Sequence, residues 1–96
     1  MTFAIDWDGT MWDRQTKGFY PGAIDAIQKL RGRGHVVIIH SSNRPSWIQQ
    51  ELNEAGLAVD SIWQGAGKPI ADHYIDDRAI QHEAWPATMR LLQGVI

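Results

Sequence analysis

The stretch FAIDWDGT sets two carboxylates, Asp6 and Asp8, two residues apart where the first apolar run of the chain ends. Like charges that close cost free energy unless something positive sits with them. The pair is therefore either a solvated turn or a holder of a metal ion. Three more places carry polar side chains that could act with it. Ser41 and Ser42 follow the apolar run HVVIIH, Lys68 lies in a Gly-Lys-Pro loop, and the acidic pair Asp76-Asp77 follows HYI. The four histidines, His35, His40, His73 and His82, show no metal-ligand spacing. There is no cysteine, which excludes a thiolate zinc site, a cysteine nucleophile and a disulfide framework.

The elements that must hold these groups can be read from hydrophobic spacing. Residues 3 to 7 read as a buried strand, closed by Asp8-Gly9-Thr10 as a turn. Residues 11 to 20, MWDRQTKGFY, have no clean period and read as a loop or small flap. Ile24, Ile27 and Leu30 recur at helical spacing after Pro21-Gly22, with Lys29, Arg31 and Arg33 at the far end and Gly32 and Gly34 as the stop. His35 to His40 is apolar and β-branched, as a strand covered on both faces should be. Ser46 and Gln49 match a capping box, predicting a helix from about 46 to 55 that ends at Gly56. A weaker strand is expected within 57 to 63 and a short one over 72 to 75. A short extended piece is expected near 79 to 82, and a last helix after Trp85-Pro86 with Met89 and Leu92 on its apolar side.

Strands alternating with helices predict an α/β fold with an open, mostly parallel sheet in one domain spanning residues 1–96. Ligands of such sheets bind beyond the carboxyl ends of the strands. Asp6, Asp8, Ser41, Ser42, Asp76 and Asp77 all leave strand ends on that edge, and Lys68 lies in the loop feeding the fourth strand. Apolar residues make up 44% of the chain, including five Trp, so a packed core is expected. A formal net charge of −2 provides no global basic field for nucleic acid and no polybasic membrane patch. No stretch approaches the ~20 apolar residues a membrane helix needs, and Met1-Thr2 leads straight into a strand without a leader, so a cytoplasmic protein is expected.

Four motifs, in order over residues 3 to about 78, resemble those of the haloacid dehalogenase superfamily of aspartate-nucleophile phosphotransferases. They are Asp6-Trp7-Asp8-Gly9-Thr10, Ser41 in VVIIHSSNRP, Lys68 in GKP and Asp76-Asp77 in HYIDDRAI. The resemblance implies a three-layer, Rossmann-like core and a Mg²⁺-dependent phosphatase working through an aspartyl phosphate. It makes Asp6 the nucleophile and Asp8 the general acid and base. Asp6, the main-chain carbonyl of Asp8 and Asp77 would hold the metal. Ser41, or Ser42 if the strand end shifts by one, would bind phosphate with Gly9, Thr10 and Lys68, while Asp76 and Arg44 would support the site. Residues 11–20 and 43–67 leave no room for the cap domain that family members often carry. An uncapped site favours a macromolecular or chain-end phosphate, or closure by a second copy in a homo-oligomer. Nucleotide, nucleic-acid end, sugar phosphate and phosphoprotein all remain open as substrates, with no membrane partner. Trp12, Phe19 and Tyr20 either stack on an aromatic substrate or pack under their loop. Two other readings use the same residues: a metal-dependent nuclease, and a non-catalytic metal- or phosphate-binding module.

Overall fold

The run TFAID becomes the central strand because both of its neighbours pair with it in parallel. A computed structural model describes residues 1–42, 44–63, 67, 69–76, 85, 89, 90 and 92. Its elements are β1 (Thr2–Asp6), β2 (Trp12–Asp13), β3 (Gly18–Phe19), α1 (Ala23–Gly32), β4 (Val36–His40), α2 (Pro45–Glu54), β5 (Ser61–Trp63) and β6 (His73–Ile75). The main sheet has the order β5-β4-β1-β6 with every pair parallel, while β2 and β3 form a separate antiparallel hairpin. This is the open, mostly parallel α/β sheet expected.

Register decides which side chains share a face. Phe3 pairs with Val37 and His73, and Ile5 with Ile39 and Ile75. Phe3, Ile5, Val37, Ile39 and Ile75 are all fully buried. Both βαβ crossovers run in one direction across the sheet, and right-handed connections then place α1 and α2 on the same face. Their apolar stripes, Ala23, Ala26, Ile27 and Leu30 on α1 and Ile48 and Leu52 on α2, close the main core there. Trp85 and Leu92 are buried in the same cluster, and Met89 packs against it. On the opposite face, Pro69 and Ala71 before β6 meet a side chain of that strand. Tyr74, in register with buried Ala4, donates its hydroxyl to the carbonyl of buried Pro69 and accepts the Ala71 N–H.

Local details differ from the sequence reading in instructive ways. The flap is an ordered hairpin whose strands of two residues are too short to show a period. Helix α2 starts one residue early, at Pro45, with Arg44 as its N-cap and no side-chain cap bond, so the Ser46–Gln49 box does not form. Pro45 supplies the start instead: its fixed φ suits the first helical position, where its missing N–H is not needed. Gly32 is the last residue of α1 rather than its stop, and Gly34, at φ 85°, makes the left-handed turn. The extended piece expected near 79–82 lies outside the described residues.

Asp60 fixes the entry to β5. Its carboxylate accepts the Val37 N–H at 2.7 Å and the Arg31 guanidinium at 3.3 Å, while its own N–H donates to the Val37 carbonyl. The Val37 N–H first, and then Arg31, hold the Asp60 carboxyl below the usual carboxylate range. A depressed pKa contributes stability that is present above the usual range and lost as pH falls through the folded-state value. Asp60→Ala should therefore cost about 1 kcal/mol at neutral pH, the scale of a solvent-screened bond to a charged group. The difference from the parent in thermal denaturation should shrink toward zero in strong acid.

Candidate active site

The carboxyl edge of the sheet brings three chemistry-bearing residues into one row. Asp6 pairs with His40, and Ile5 with Ile75, so Asp76 follows β6 beside Asp6. Adjacent strands lie about 4.8 Å apart, and residues in register share a face. Asp76, Asp6 and His40 thus stand side by side on the face opposite the main core.

The turn after β1 is wound around one carbonyl. The Trp7 oxygen accepts the N–H groups of Thr10, Met11 and Trp12 at 3.4, 2.9 and 2.9 Å. Gly9 takes φ 79°, a left-handed conformation that glycine adopts without the Cβ clash, and donates its N–H to the Trp12 carbonyl. Trp7 itself is fully buried, stacked on Trp12 and met edge-on by Phe19 and Trp47. Burying Trp7 directs the carboxylates on either side of it, Asp6 and Asp8, away from the core; both are half-buried. This is the packing role for Trp7 that strand alternation implies.

The main chains of Gly9 and Thr10 are committed to the turn. Gly9 spends its N–H on Trp12, and Thr10 is fully buried with its N–H turned to Trp7. The Thr10 carbonyl accepts the Trp85 indole N–H at 3.0 Å. Both residues shape the turn, because a chain wound this tightly aims these N–H groups inward. Ser41 is the first residue beyond β4 and half-buried, Ser42 is exposed, and Arg44 is exposed at the head of α2. Helix α2 directs its N-terminus, the favourable end for an anion, at this loop. Lys68 and Asp77 lie outside the described residues.

Electrostatics mark Asp6 as the strained member of the row. Burial raises its carboxyl above the usual range, and the nearby charges of Asp76 and Asp8 add to this. The Trp7 N–H, donated to Asp6 at 3.1 Å, and His40 pull the other way without overcoming it. A raised carboxylate pKa means that the folded state holds the proton more tightly than the unfolded chain. Without metal, stability should fall as pH rises through the usual carboxylate range to the raised value. Asp6→Asn should accordingly raise the thermal midpoint of the metal-free protein at neutral pH and leave it nearly unchanged in strong acid.

The donor set fits a hard divalent cation in kind. Asp6 and Asp8 offer oxygen ligands, and a cation would offset both the burial of the Asp6 charge and the neighbouring charges of Asp76 and Asp8. The described residues alone contain no group of three acidic or histidine side chains close enough to hold an ion. A set of Asp6, the Asp8 carbonyl and Asp77 would need the last from outside them.

Sequence reasoning takes His40 as a structural residue near the site and misses its place in the row, which only strand register sets. It also missed Arg14, Lys17, Trp47 and Glu51, which with Asp8 and Trp12 line a groove of about 350 Å³. Pairing the hairpin against α2 is a tertiary fact with no local signal.

An aspartate pair on a tight turn, beside a further aspartate after β6, thus stands at the carboxyl edge of a Rossmann-like parallel sheet. The chain belongs to the haloacid dehalogenase-like hydrolases, whose family model matches residues 3–94. No curated protein sequence matches it. A solved structure of a conserved protein from Bacteroides thetaiotaomicron is similar, with a TM-score of 0.79 at 23% identity, covering 98% of this chain and 90% of that one. At that identity the likeness shows the fold alone. Among the described residues no cap domain interrupts the core: the hairpin fills the first connection, and α2 follows the second motif.

Proposed function

We propose that the protein is a Mg²⁺-dependent phosphatase that hydrolyses a phosphomonoester through an aspartyl phosphate on Asp6. The observation that carries this reading is the Asp76–Asp6–His40 row beside a turn that presents Asp8, within a family of hydrolases. Asp6 attacks phosphorus in line, the bond to the leaving oxygen breaks, and Asp8 gives that oxygen a proton. Asp8 then takes a proton from water, whose oxygen attacks phosphorus, the bond to Asp6 breaks and inorganic phosphate departs. Mg²⁺, held by Asp6, the Asp8 carbonyl and Asp77, would neutralise charge on the transferring group when bound. Ser41, with Ser42 as the alternative, and Lys68 would hydrogen-bond phosphoryl oxygens. Asp76 would orient Lys68 or a water, and Arg44 would stand at the rim.

The uncapped edge favours a nucleotide, a nucleic-acid end or another macromolecular phosphate, and leaves room for a second copy of the chain to close the site. No helix of the described residues is long and apolar enough to cross a membrane. A cytoplasmic location is part of the proposal and is in keeping with a chain without cysteine. Screening phosphomonoesters with and without Mg²⁺ tests the reading: release of phosphate only with the metal supports it, and no release from any ester contradicts it.

Asp8→Asn separates this chemistry from metal-assisted attack by water. The variant keeps the nucleophile and the main-chain ligand but has no group to activate water, so dephosphorylation should slow the most. With an aryl phosphate, whose leaving group needs little protonation, an initial burst equal to the enzyme concentration should precede a steady rate reduced by at least ~10²-fold.

A further inference from the structure

The groove beside Asp8 lies between two elements that the catalytic chemistry does not use. One wall is the β2–β3 hairpin with Trp12, Arg14 and Lys17, and the other is α2 with Trp47 and Glu51. Asp8 also lines it. The hairpin turn is built rather than loose: the Asp13 carboxylate accepts the Gln15 N–H at 2.9 Å, and the Asp13 carbonyl accepts the Lys17 N–H at 2.8 Å. That turn holds Lys17 at φ 55°. Trp12, only 7% exposed, is fixed by stacking on Trp7 and by the edges of Phe19 and Trp47. Trp47 is only partly buried, so the α2 wall keeps indole surface open to the groove.

We propose that this groove is the leaving-group subsite and that it selects a nucleoside phosphomonoester, free or at the end of a strand. The inference rests on the phosphatase reading above, because Asp8 is the group that protonates the leaving oxygen. A leaving group bonded to a phosphate at Asp6 would meet Asp8, two residues on, which lines the groove. Its volume of about 350 Å³ is near the lower end of ligand pockets, ~300–1,000 Å³, and suits one ring system with its sugar. The Trp47 face offers stacking, which any nucleobase can use. Arg14 and Lys17 supply only hydrogen-bond donors and Glu51 only acceptors. A nucleobase and its sugar carry both kinds of partner around a plane. An aliphatic sugar phosphate leaves the indole unused, and a phosphotyrosyl ring carries no acceptor for the two cations. Arg14 and Lys17, exposed at the hairpin tip, would also meet the next phosphate of a strand.

The test compares kcat/KM with Mg²⁺ for nucleoside 3′- and 5′-monophosphates, 3′- and 5′-phosphorylated oligonucleotides, glycerol phosphate and a phosphotyrosyl peptide. A nucleoside ester should exceed glycerol phosphate and the peptide by at least ~10-fold, the value of one stacked base. Trp47→Leu keeps apolar volume against Trp7 and Trp12 but removes the ring, and should reduce that ratio to near one. The double variant Arg14→Gln, Lys17→Gln leaves the aromatic cluster intact and should lower the ratio as well. A larger loss on oligonucleotides assigns the cations to strand phosphates, and an equal loss on free nucleotides assigns them to the base. Equal rates on glycerol phosphate, a preference for the peptide, or an undiminished ratio in both variants overturns the proposal while leaving the phosphatase reading standing. Binding read without turnover separates the two failures. In Asp6→Asn with Mg²⁺, a nucleoside monophosphate should shift the Trp47 indole N–H resonance even if no ester were hydrolysed. Saturable binding that leaves Trp47 unmoved, or no binding at all, overturns the groove assignment.

Discussion

Asp6→Asn is expected to lose hydrolysis of every phosphomonoester by at least ~10³–10⁴-fold while keeping the fold. The substitution preserves size and one oxygen, so the bond from the Trp7 N–H to Asp6 can persist. It also removes a charge that burial and the neighbouring Asp76 and Asp8 make unfavourable. Loss of activity together with a raised thermal midpoint in the metal-free state is a combination that general damage to the protein cannot produce. Steady-state rates and denaturation of the same preparation check it, with the substrate at saturation so that kcat alone is compared. Retained turnover would move the nucleophile elsewhere, to water or to another side chain.

Trp7→Ala is expected to cost about 3–5 kcal/mol, the range for emptying a large aromatic site in a core. Trp7 is fully buried and touches three other rings, Trp12, Phe19 and Trp47, which join the first turn to the hairpin and to α2. Small domains commonly have about 5–15 kcal/mol in all, so such a loss brings unfolding close to ambient temperature. The indole Nε1–H of Trp7 is buried and meets no acceptor among the described residues. Trp7→Phe, which keeps a ring and removes that N–H, should cost distinctly less. Urea denaturation of the two variants measures the difference, and equal losses would show that a single six-membered ring does not restore the packing of the site. Because Trp7 lies between the two carboxylates in sequence, its burial is also what holds Asp6 and Asp8 at the sheet edge.

Much of this arrangement was legible because buried strands write themselves as apolar runs. FAID and VVIIH needed no partner to be recognised, and Ile24, Ile27 and Leu30 mark α1 by helical spacing, although Ala23 and Ala26 complete its buried stripe while Ile24 is only partly buried. Asp6, Asp8, Ser41 and Asp76 were visible as polar residues at strand ends, where an open parallel sheet gathers its ligands. What escaped was set by contacts distant in the chain. His40 joins Asp6 only through parallel register, and the groove exists only because Trp12 and Trp47 meet across 34 intervening residues. The hairpin escaped because strands of two residues carry no period, being held instead by Asp13 and by Tyr20 donating to the Met11 carbonyl. The capping box misled because Pro45 already sets the start of α2.

The central claim is that Asp6 carries the phosphoryl group, and mass spectrometry after acid quench tests it most directly. Asp8→Asn, mixed with an aryl phosphate and Mg²⁺ and quenched within the burst, should gain the mass of one phosphoryl group on the peptide containing Asp6. The double variant Asp6→Asn, Asp8→Asn should gain none under the same conditions. An unmodified Asp8→Asn protein that still hydrolyses the ester, or a phosphoryl group found on another residue, would contradict an aspartyl phosphate at Asp6.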